Sequence, residues 1–292
     1  MALLRRVGDF LSLIKFSHTI FALPFALLGF FLAVLDDGVL SLQKLVLVVL
    51  CMIFARSAAM AFNRWQDRDI DGRNPRTAVR EIPAGVISSR SAVGFIALSS
   101  LLFIVCAALL NPLCLMLSPV ALLVVLGYSY TKRFTYLCHF VLGLGLALAP
   151  IGAYLAVTAQ FAPLPVLYGI VVLLWVAGFD IIYSLQDETF DRSQDLFSIP
   201  VRLGTVNALR LGRVLHVLCA LCLLGAVVLQ MQTYPVFGMP TLLAAGVFLA
   251  CLVYQHSLVR PGDLTKVNLA FFMTNGVASL VFGGLCILDV YV

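Results

Sequence analysis

Apolar runs of membrane-crossing length follow one another along almost the whole chain, broken by short polar stretches. A membrane helix needs about 20 mainly apolar residues. Nine runs reach that length, at about 16–35, 41–62, 91–110, 113–131, 136–158, 164–186, 211–231, 238–258 and 267–289. Turn-forming residues separate them: Asp36-Asp37-Gly38, Asn111-Pro112, Pro163 and Pro165, Tyr234-Pro235, and Pro261-Gly262. The break between the third and fourth runs is the shortest. Two segments, 63–90 and 187–210, are too long and too charged to be turns. Each follows an even-numbered span, so both fall on the same side of the membrane. The expected architecture is all-α, a nine-transmembrane-helix bundle with cap loops, formed by residues 1–292 as one domain.

Composition narrows the class further. Of 292 residues, 62% are hydrophobic and 11% charged, and the mean hydropathy is +1.06. Soluble domains run at about 45–50% apolar and about 25% charged. A single soluble core, a disordered chain and a disulfide-stapled secreted module are excluded. Long, unalternating runs also argue against a porin-type barrel. The net charge of +5 includes no basic run and no nucleic-acid-binding pattern, so no nucleic-acid partner is expected. The eight cysteines lie mostly in apolar runs, and Cys219-x-x-Cys222 has no second pair or suitably spaced His to make a metal site.

The basic residues orient the chain. With the N-terminus in the cytoplasm, 17 of the 19 Lys and Arg residues fall on the cytoplasmic side. Lys44 is in an outer loop and Arg56 lies within a span. This bias supports an odd span number and cytoplasmic cap loops in a cell (inner) membrane protein. The N-terminus has a basic stretch like a signal peptide, including Arg5, Arg6 and Lys15. Its apolar run is full length and ends in Val34-Leu35-Asp36-Asp37-Gly38 without a small-residue cleavage site, so it reads as a retained span.

Two acidic constellations carry the candidate chemistry. The first is Asn63, Asp67 and Asp71, with Arg56 seven residues before Asn63. On a helix these four share one face, whereas Asp69 points elsewhere. The second is Asp180, Asp187, Asp191 and Asp195, again on one helical face. Carboxylates gathered this way repel one another unless a cation is present. Mg²⁺ takes hard oxygen ligands and is commonly shared between carboxylates and a substrate phosphate. Two facing ladders would hold two ions with a diphosphate between them. Arg76, Arg80, Lys132 and Arg192 could neutralise the remaining phosphate charge, and Tyr128 lies one turn before Lys132 on the same face. His18, His139, His216 and His256 are scattered and read as packing residues. Trp65 and Trp175 read as interfacial anchors.

These motifs together resemble the UbiA-type intramembrane prenyltransferases, from about Ile14 to the C-terminus. The family's first motif, Asn with Asp four and eight residues later, matches Asn63, Asp67 and Asp71. Its second, Asp-x-x-Tyr followed by an Asp pair spaced by four, matches Asp180, Tyr183, Asp187 and Asp191. The family's intervening elements resemble Arg76-Thr77, Arg80 through Gly85, and Tyr128 with Lys132, Arg133 and Thr135. Arg64 stands where many members carry Asp. Residues 63–85 resemble a 4-hydroxybenzoate polyprenyltransferase-like branch, part of which is tied to menaquinone made through dihydroxynaphthoate.

The resemblance implies Mg²⁺-dependent transfer of a polyprenyl group from its diphosphate to a hydroxylated aromatic acid in respiratory quinone biosynthesis. The acceptor is a 4-hydroxybenzoate or a dihydroxynaphthoate, and the tail of the donor lies toward the lipid bilayer. Metal ligands would be Asn63, Asp67, Asp71, Asp187 and Asp191. Arg76, Arg80, Lys132, Tyr128 and Arg192 would serve the diphosphate. Asp180 would activate the acceptor phenol, and Arg56 would hold either the acceptor carboxylate or the diphosphate. Two other classes compete. A transporter also uses intramembrane charge, but these ladders sit on one face rather than at a midplane. A head-group phosphotransferase needs Asp-Gly-x-x-Ala-Arg, and Asp71-Gly72 is followed by Arg73-Asn74-Pro75-Arg76.

Overall fold

The computed structural model describes residues 2–14 and 21–292. Lys15, His18 and the start of the first expected span lie outside the described residues, as do the side chains of Arg5 and Arg6. The chain runs through α1 (Ala2–Leu13), α2 (Leu23–Asp37), α3 (Leu42–Gln66), α4 (Arg68–Arg73), α5 (Ser89–Leu110) and α6 (Pro112–Thr131). It continues through α7 (Cys138–Thr158), α8 (Pro163–Ser184), a 3-10 turn (Leu185–Asp187), α9 (Glu188–Ser193), α10 (Ile199–Thr233), α11 (Met239–Leu258) and α12 (Val267–Asp289). Among the described residues eight helices are long and apolar enough to cross a membrane: α3, α5 to α8, and α10 to α12. The protein is therefore an all-α polytopic membrane protein with eight candidate spans. The described part of the first expected span, α2, is apolar but only 15 residues long.

The helix ends follow from local chemistry. Asn111 closes α5 and opens α6, and its Oδ1 accepts the Cys114 N–H at 2.9 Å while Pro112 takes the first helical position. The shortest expected break is thus a single residue. The segment 187–210, expected to be loop, is largely helical. Ser198 caps α10, Pro200 sits in its first turn, and Gly204 bends it through φ +73°, a left-handed value that suits glycine. Arg202, Arg210 and Arg213 interrupt the apolar pattern and so mimic a loop. They are exposed on a helix of 35 residues, longer than the bilayer requires. Helix α1 was also unforeseen. Its end packs Leu13 and Ile14 against Ala61, Ile82, Ile87 and Ile96, and Phe10 stacks on Phe95 at 4.8 Å.

Lipid tails are as apolar as leucine, so membrane helices are held together by close packing and polar contacts. Gly143 lets α7 approach α8: a β-carbon there would stand 2.6 Å from the Leu173 carbonyl oxygen. Gly29 in α2 meets the Pro150 backbone of α7 in the same way. Phe25, Trp175, Phe248 and Phe282 pack as one aromatic group, with Trp175–Phe248 centroids at 5.3 Å and Phe25–Phe282 at 5.5 Å. The polar edge of Trp175 is satisfied by Asn275 Oδ1 at 3.0 Å, and Tyr168 donates to Gln230 Oε1 at 2.5 Å. The result is a rigid scaffold of α2, α7, α8 and α10 to α12. Both charged segments lie at one end of it, where Arg73 donates to Gln194 at 3.0 Å.

Candidate active site

Two helix ends supply the acidic ladders. α3 stops at Gln66 and α4 starts at Arg68, with Asp67 at the joint. Helical hydrogen bonding crosses that joint: Asp67 N donates to Asn63 O at 2.9 Å and Asp71 N to Asp67 O at 2.7 Å. The four-residue spacing therefore keeps its helical meaning, and Asn63 Nδ2 donates to Asp67 Oδ2 at 3.3 Å. Asp69 points away, with a side chain 72% exposed and 3.7 Å from Arg68. In the second ladder the 3-10 turn carries the chain from Asp180 on α8 to Asp187, and α9 carries Asp191. Asp195 does not continue this face. α9 has ended before it, and Asp195 is exposed in a left-handed turn at φ +53°.

Each of the inner carboxylates has a basic partner. Asp67, almost fully buried, faces Lys132 Nζ at 2.5 Å and Arg133 at 3.1 Å. Asp71, also buried, takes one Arg80 nitrogen across both of its oxygens at 2.6 and 2.7 Å. Asp187 is gripped by two nitrogens of Arg76 and by Asn74 Nδ2 at 3.2 Å. Arg76 also donates to the Tyr183 hydroxyl at 3.3 Å. Burial opposes the charge on Arg76, but the hydrogen bonds and attraction of Asp187 and Tyr183 outweigh it. The guanidinium is held above its ordinary value. Asp191 lies within electrostatic reach of Asp187, Lys132, Arg76 and His139.

Arg76 and Asn74 belong to the segment after the first ladder, while Asp187 belongs to the second. This grip is what joins the two motifs. The segment is itself anchored: Thr77 donates to Asp71 O at 3.1 Å, and Ser12 on α1 donates to Glu81 at 2.5 Å. A third strand of chain closes the end, since Phe197 N donates to Lys132 O at 2.7 Å.

The remaining expected site residues fall around this centre. Tyr128 on α6 lies within electrostatic reach of Asp67, Arg64 and Arg56. Arg192 turns elsewhere and donates to Glu188 Oε1 and to Val201 O, both at 3.2 Å. Arg56 and Asp180 do not pair with each other among the described residues. Among the described residues the buried Arg56 Nε has no hydrogen-bond partner, and Asp180 instead meets His139 Nδ1 at 2.7 Å. Arg64 is buried on α3, and its Nε also lacks a partner among the described residues.

Sequence reasoning gave no site role to Arg133, quoted only within the family's motif, nor to Asn74 or His139. The first two had a local signal, being next to Lys132 and two residues before Arg76. His139 had none, because it is 41 residues from Asp180 and reads as one polar position in an apolar helix.

The donor set of Asn63, Asp67, Asp71, Asp187 and Asp191 has the hard oxygen chemistry that suits Mg²⁺. As placed, no group of three or more His, Cys, Asp or Glu among the described residues is close enough to hold an ion. The carboxylates are instead shared out among Lys132, Arg133, Arg80 and Arg76. The residues fit a cation that arrives with an anion able to take over those basic partners.

The chain matches the model of the UbiA prenyltransferase family over residues 22–276. It is 33% identical over 251 residues to a 4-hydroxybenzoate octaprenyltransferase of Aliivibrio fischeri, covering 84% of each chain. Its structure resembles the apo structure of a UbiA homologue from Aeropyrum pernix K1, with a TM-score of 0.82 and 33% identity over 94% of this chain and 98% of that one. It shares the fold of a UbiA homologue from Archaeoglobus fulgidus bound to GPP and Mg²⁺, with a TM-score of 0.73 and 20% identity over 97% of this chain and all of that one. With the paired Asp ladders closed over by the segment from Asn74 to Arg80, the match along most of its length makes this chain a member of the UbiA prenyltransferase family.

Proposed function

We propose that the protein transfers a polyprenyl group from polyprenyl diphosphate to 4-hydroxybenzoate, as a step in respiratory quinone biosynthesis. The observation that carries this reading is the grip of Arg76 and Asn74 on Asp187, which brings both acidic ladders to one end of the bundle. The relative of that activity in A. fischeri supports the acceptor class. Residues 1–292 form one domain, with the first apolar run completing nine spans and the site facing the cytoplasm, as the basic residues direct.

Asn63, Asp67, Asp71, Asp187 and Asp191 are the Mg²⁺ ligands in this reading. Bound Mg²⁺ would draw charge from the diphosphate and ease its departure. Binding requires the carboxylates to release their basic partners. Lys132, Arg76 and Arg80 then turn from Asp67, Asp187 and Asp71 to phosphate oxygens, and no charge is left unpaired. Tyr128 donates from the same side. The allylic C–O bond breaks and its electron pair leaves with the diphosphate. The allylic carbon is attacked by the ring carbon beside the phenol oxygen as the phenol proton passes to Asp180. The attacked carbon then loses its hydrogen as a proton to solvent, and Asp180 returns its proton to the oxygen as the ring regains aromaticity. Arg56, whose Nε has no hydrogen-bond partner among the described residues, holds the acceptor carboxylate. The donor tail extends from the site along apolar helix faces into the bilayer.

The test is reconstitution in vesicles with octaprenyl diphosphate, Mg²⁺ and either 4-hydroxybenzoate or 1,4-dihydroxy-2-naphthoate. Prenylated hydroxybenzoate that disappears in chelator and returns with Mg²⁺ is the expected outcome. Turnover only with the naphthoate moves the enzyme to menaquinone synthesis, and turnover with neither acceptor defeats the reading.

A further inference from the structure

His139 sits at the start of α7 and is 2% exposed. Its two ring nitrogens meet different elements. Nε2 accepts the backbone N–H of Ile199, the first residue of α10, at 3.2 Å. Nδ1 lies 2.7 Å from Oδ2 of Asp180 on α8. A ring nitrogen that accepts a hydrogen bond carries no proton, so the neutral ring must be protonated at Nδ1. The N–H at Ile199 is one of the donors that every helix leaves unsatisfied in its first turn. It therefore selects the tautomer that donates to Asp180. Oδ1 of Asp180 has no protein partner among the described residues, which leaves it free for a second proton donor.

We propose that His139 is the positioning residue of the proton-accepting carboxylate. The α10 N-terminus fixes the imidazole, the imidazole fixes Oδ2 of Asp180, and Oδ1 is thereby aimed at the acceptor phenol. A base held by a third group in this way is a recurrent device for keeping a proton acceptor in line. The inference rests on the assignment of Asp180 above. It adds that α10, which carries none of the proposed ligands, sets the direction of the base. A misplacement of about 1 Å at a reacting group can cost roughly 100-fold in rate.

The test uses two substitutions in the full chain. In His139→Asn the amide nitrogen stands near the place of Nδ1 and keeps the donation to Asp180. In His139→Gln the amide oxygen reaches the place of Nε2 and keeps the bond from Ile199, but nothing donates to Asp180. The expected result for His139→Gln is a kcat lower by roughly 10–100-fold. Its donor KM, its calorimetric affinity for Mg²⁺ with inorganic pyrophosphate and its thermal midpoint stay near wild type. His139→Asn should retain kcat within severalfold. Wild-type kcat in His139→Gln overturns the proposal, as does an equal fall in both variants tracking lost thermal stability. Asp180→Asn, run beside them, separates the two levels. If it stays active, the assignment of Asp180 itself fails; if it is inactive while His139→Gln is active, only the role of His139 fails. Should neither histidine variant fold, the ¹⁵N shifts of His139 in the labelled wild type decide the matter. Protonation at Nδ1 supports the proposal and protonation at Nε2 overturns it.

Discussion

Hydrogen-bonded carboxylates occur at both ends of the bundle, but their partners differ in kind. At the end away from the ladders, Asp289 accepts the Gly238 and Thr241 N–H groups at 2.8 and 3.0 Å and the Thr241 hydroxyl at 2.6 Å, so α12 caps the start of α11. At the same end Asp36 takes the hydroxyls of Tyr154 at 2.5 Å and Tyr234 at 2.9 Å. All of these partners are neutral and rigidly placed. At the other end Asp67, Asp71 and Asp187 are met by Lys132, Arg133, Arg80 and Arg76, which are cations on long stems. At the end away from the ladders, and so away from every group assigned to the substrates, a carboxylate fixed by neutral donors is structural, as Asp36 and Asp289 are. One balanced by movable cations can exchange them for another cation, provided the displaced charges find an anion. The difference separates the architectural aspartates from those assigned to the site, although all of them look alike as acidic residues near span ends.

Substitutions at the two ends test this contrast. Asp67→Asn and Asp187→Asn each remove an anionic ligand facing the diphosphate. Prenyl transfer per folded protein should fall by at least about 100-fold in reconstituted vesicles, beyond any loss of stability from leaving Lys132, Arg133 or Arg76 without its carboxylate. A similar loss of activity from Asp289→Asn would erase the distinction. The exchange of partners predicts a second, smaller effect. Calorimetry should find that inorganic pyrophosphate raises Mg²⁺ affinity by about 10-fold or more, a coupling near 1.4 kcal/mol that by linkage acts equally in the other direction. Independent binding of the two would mean that the basic side chains do not change partners.

The remaining two predictions are structural. Asp289→Asn weakens three hydrogen bonds to a buried charge, so stability should drop by about 1–2 kcal/mol with turnover of the remaining folded protein unchanged. Unaltered unfolding in denaturant would show that α11 does not need this cap. Asp69→Asn, lying among the ligands in sequence but pointing outward, should change activity less than about twofold and stability by less than about 0.5 kcal/mol. A defect as deep as that of Asp67→Asn would place Asp69 inside the site and undo the helical-face argument.

Each feature was legible in sequence to the degree that its signal was local. Asn63, Asp67 and Asp71 share a face because helical hydrogen bonds cross the joint at Asp67, and that periodicity is written in their spacing. Asp195 followed the same spacing but left the face, because α9 ends at Ser193 and a left-handed turn follows. The beginning of α10 was hidden by its own arginines, which break hydropathy without breaking the helix. The transporter alternative rested on intramembrane charge alone, and family membership now places Arg56 and Asp180 in a prenyltransferase fold.

The sequence alone determined the membrane class, the common side of the two charged segments and the family. Each of these depends on composition, order and spacing along the chain. Tertiary structure alone decided the pairings: Arg76 with Asp187 across 111 residues, Lys132 with Asp67, and His139 with Asp180 rather than Arg56 with Asp180. A buried charge or ring nitrogen must find a partner wherever helix packing brings one, and no periodicity in the chain records which helices will meet.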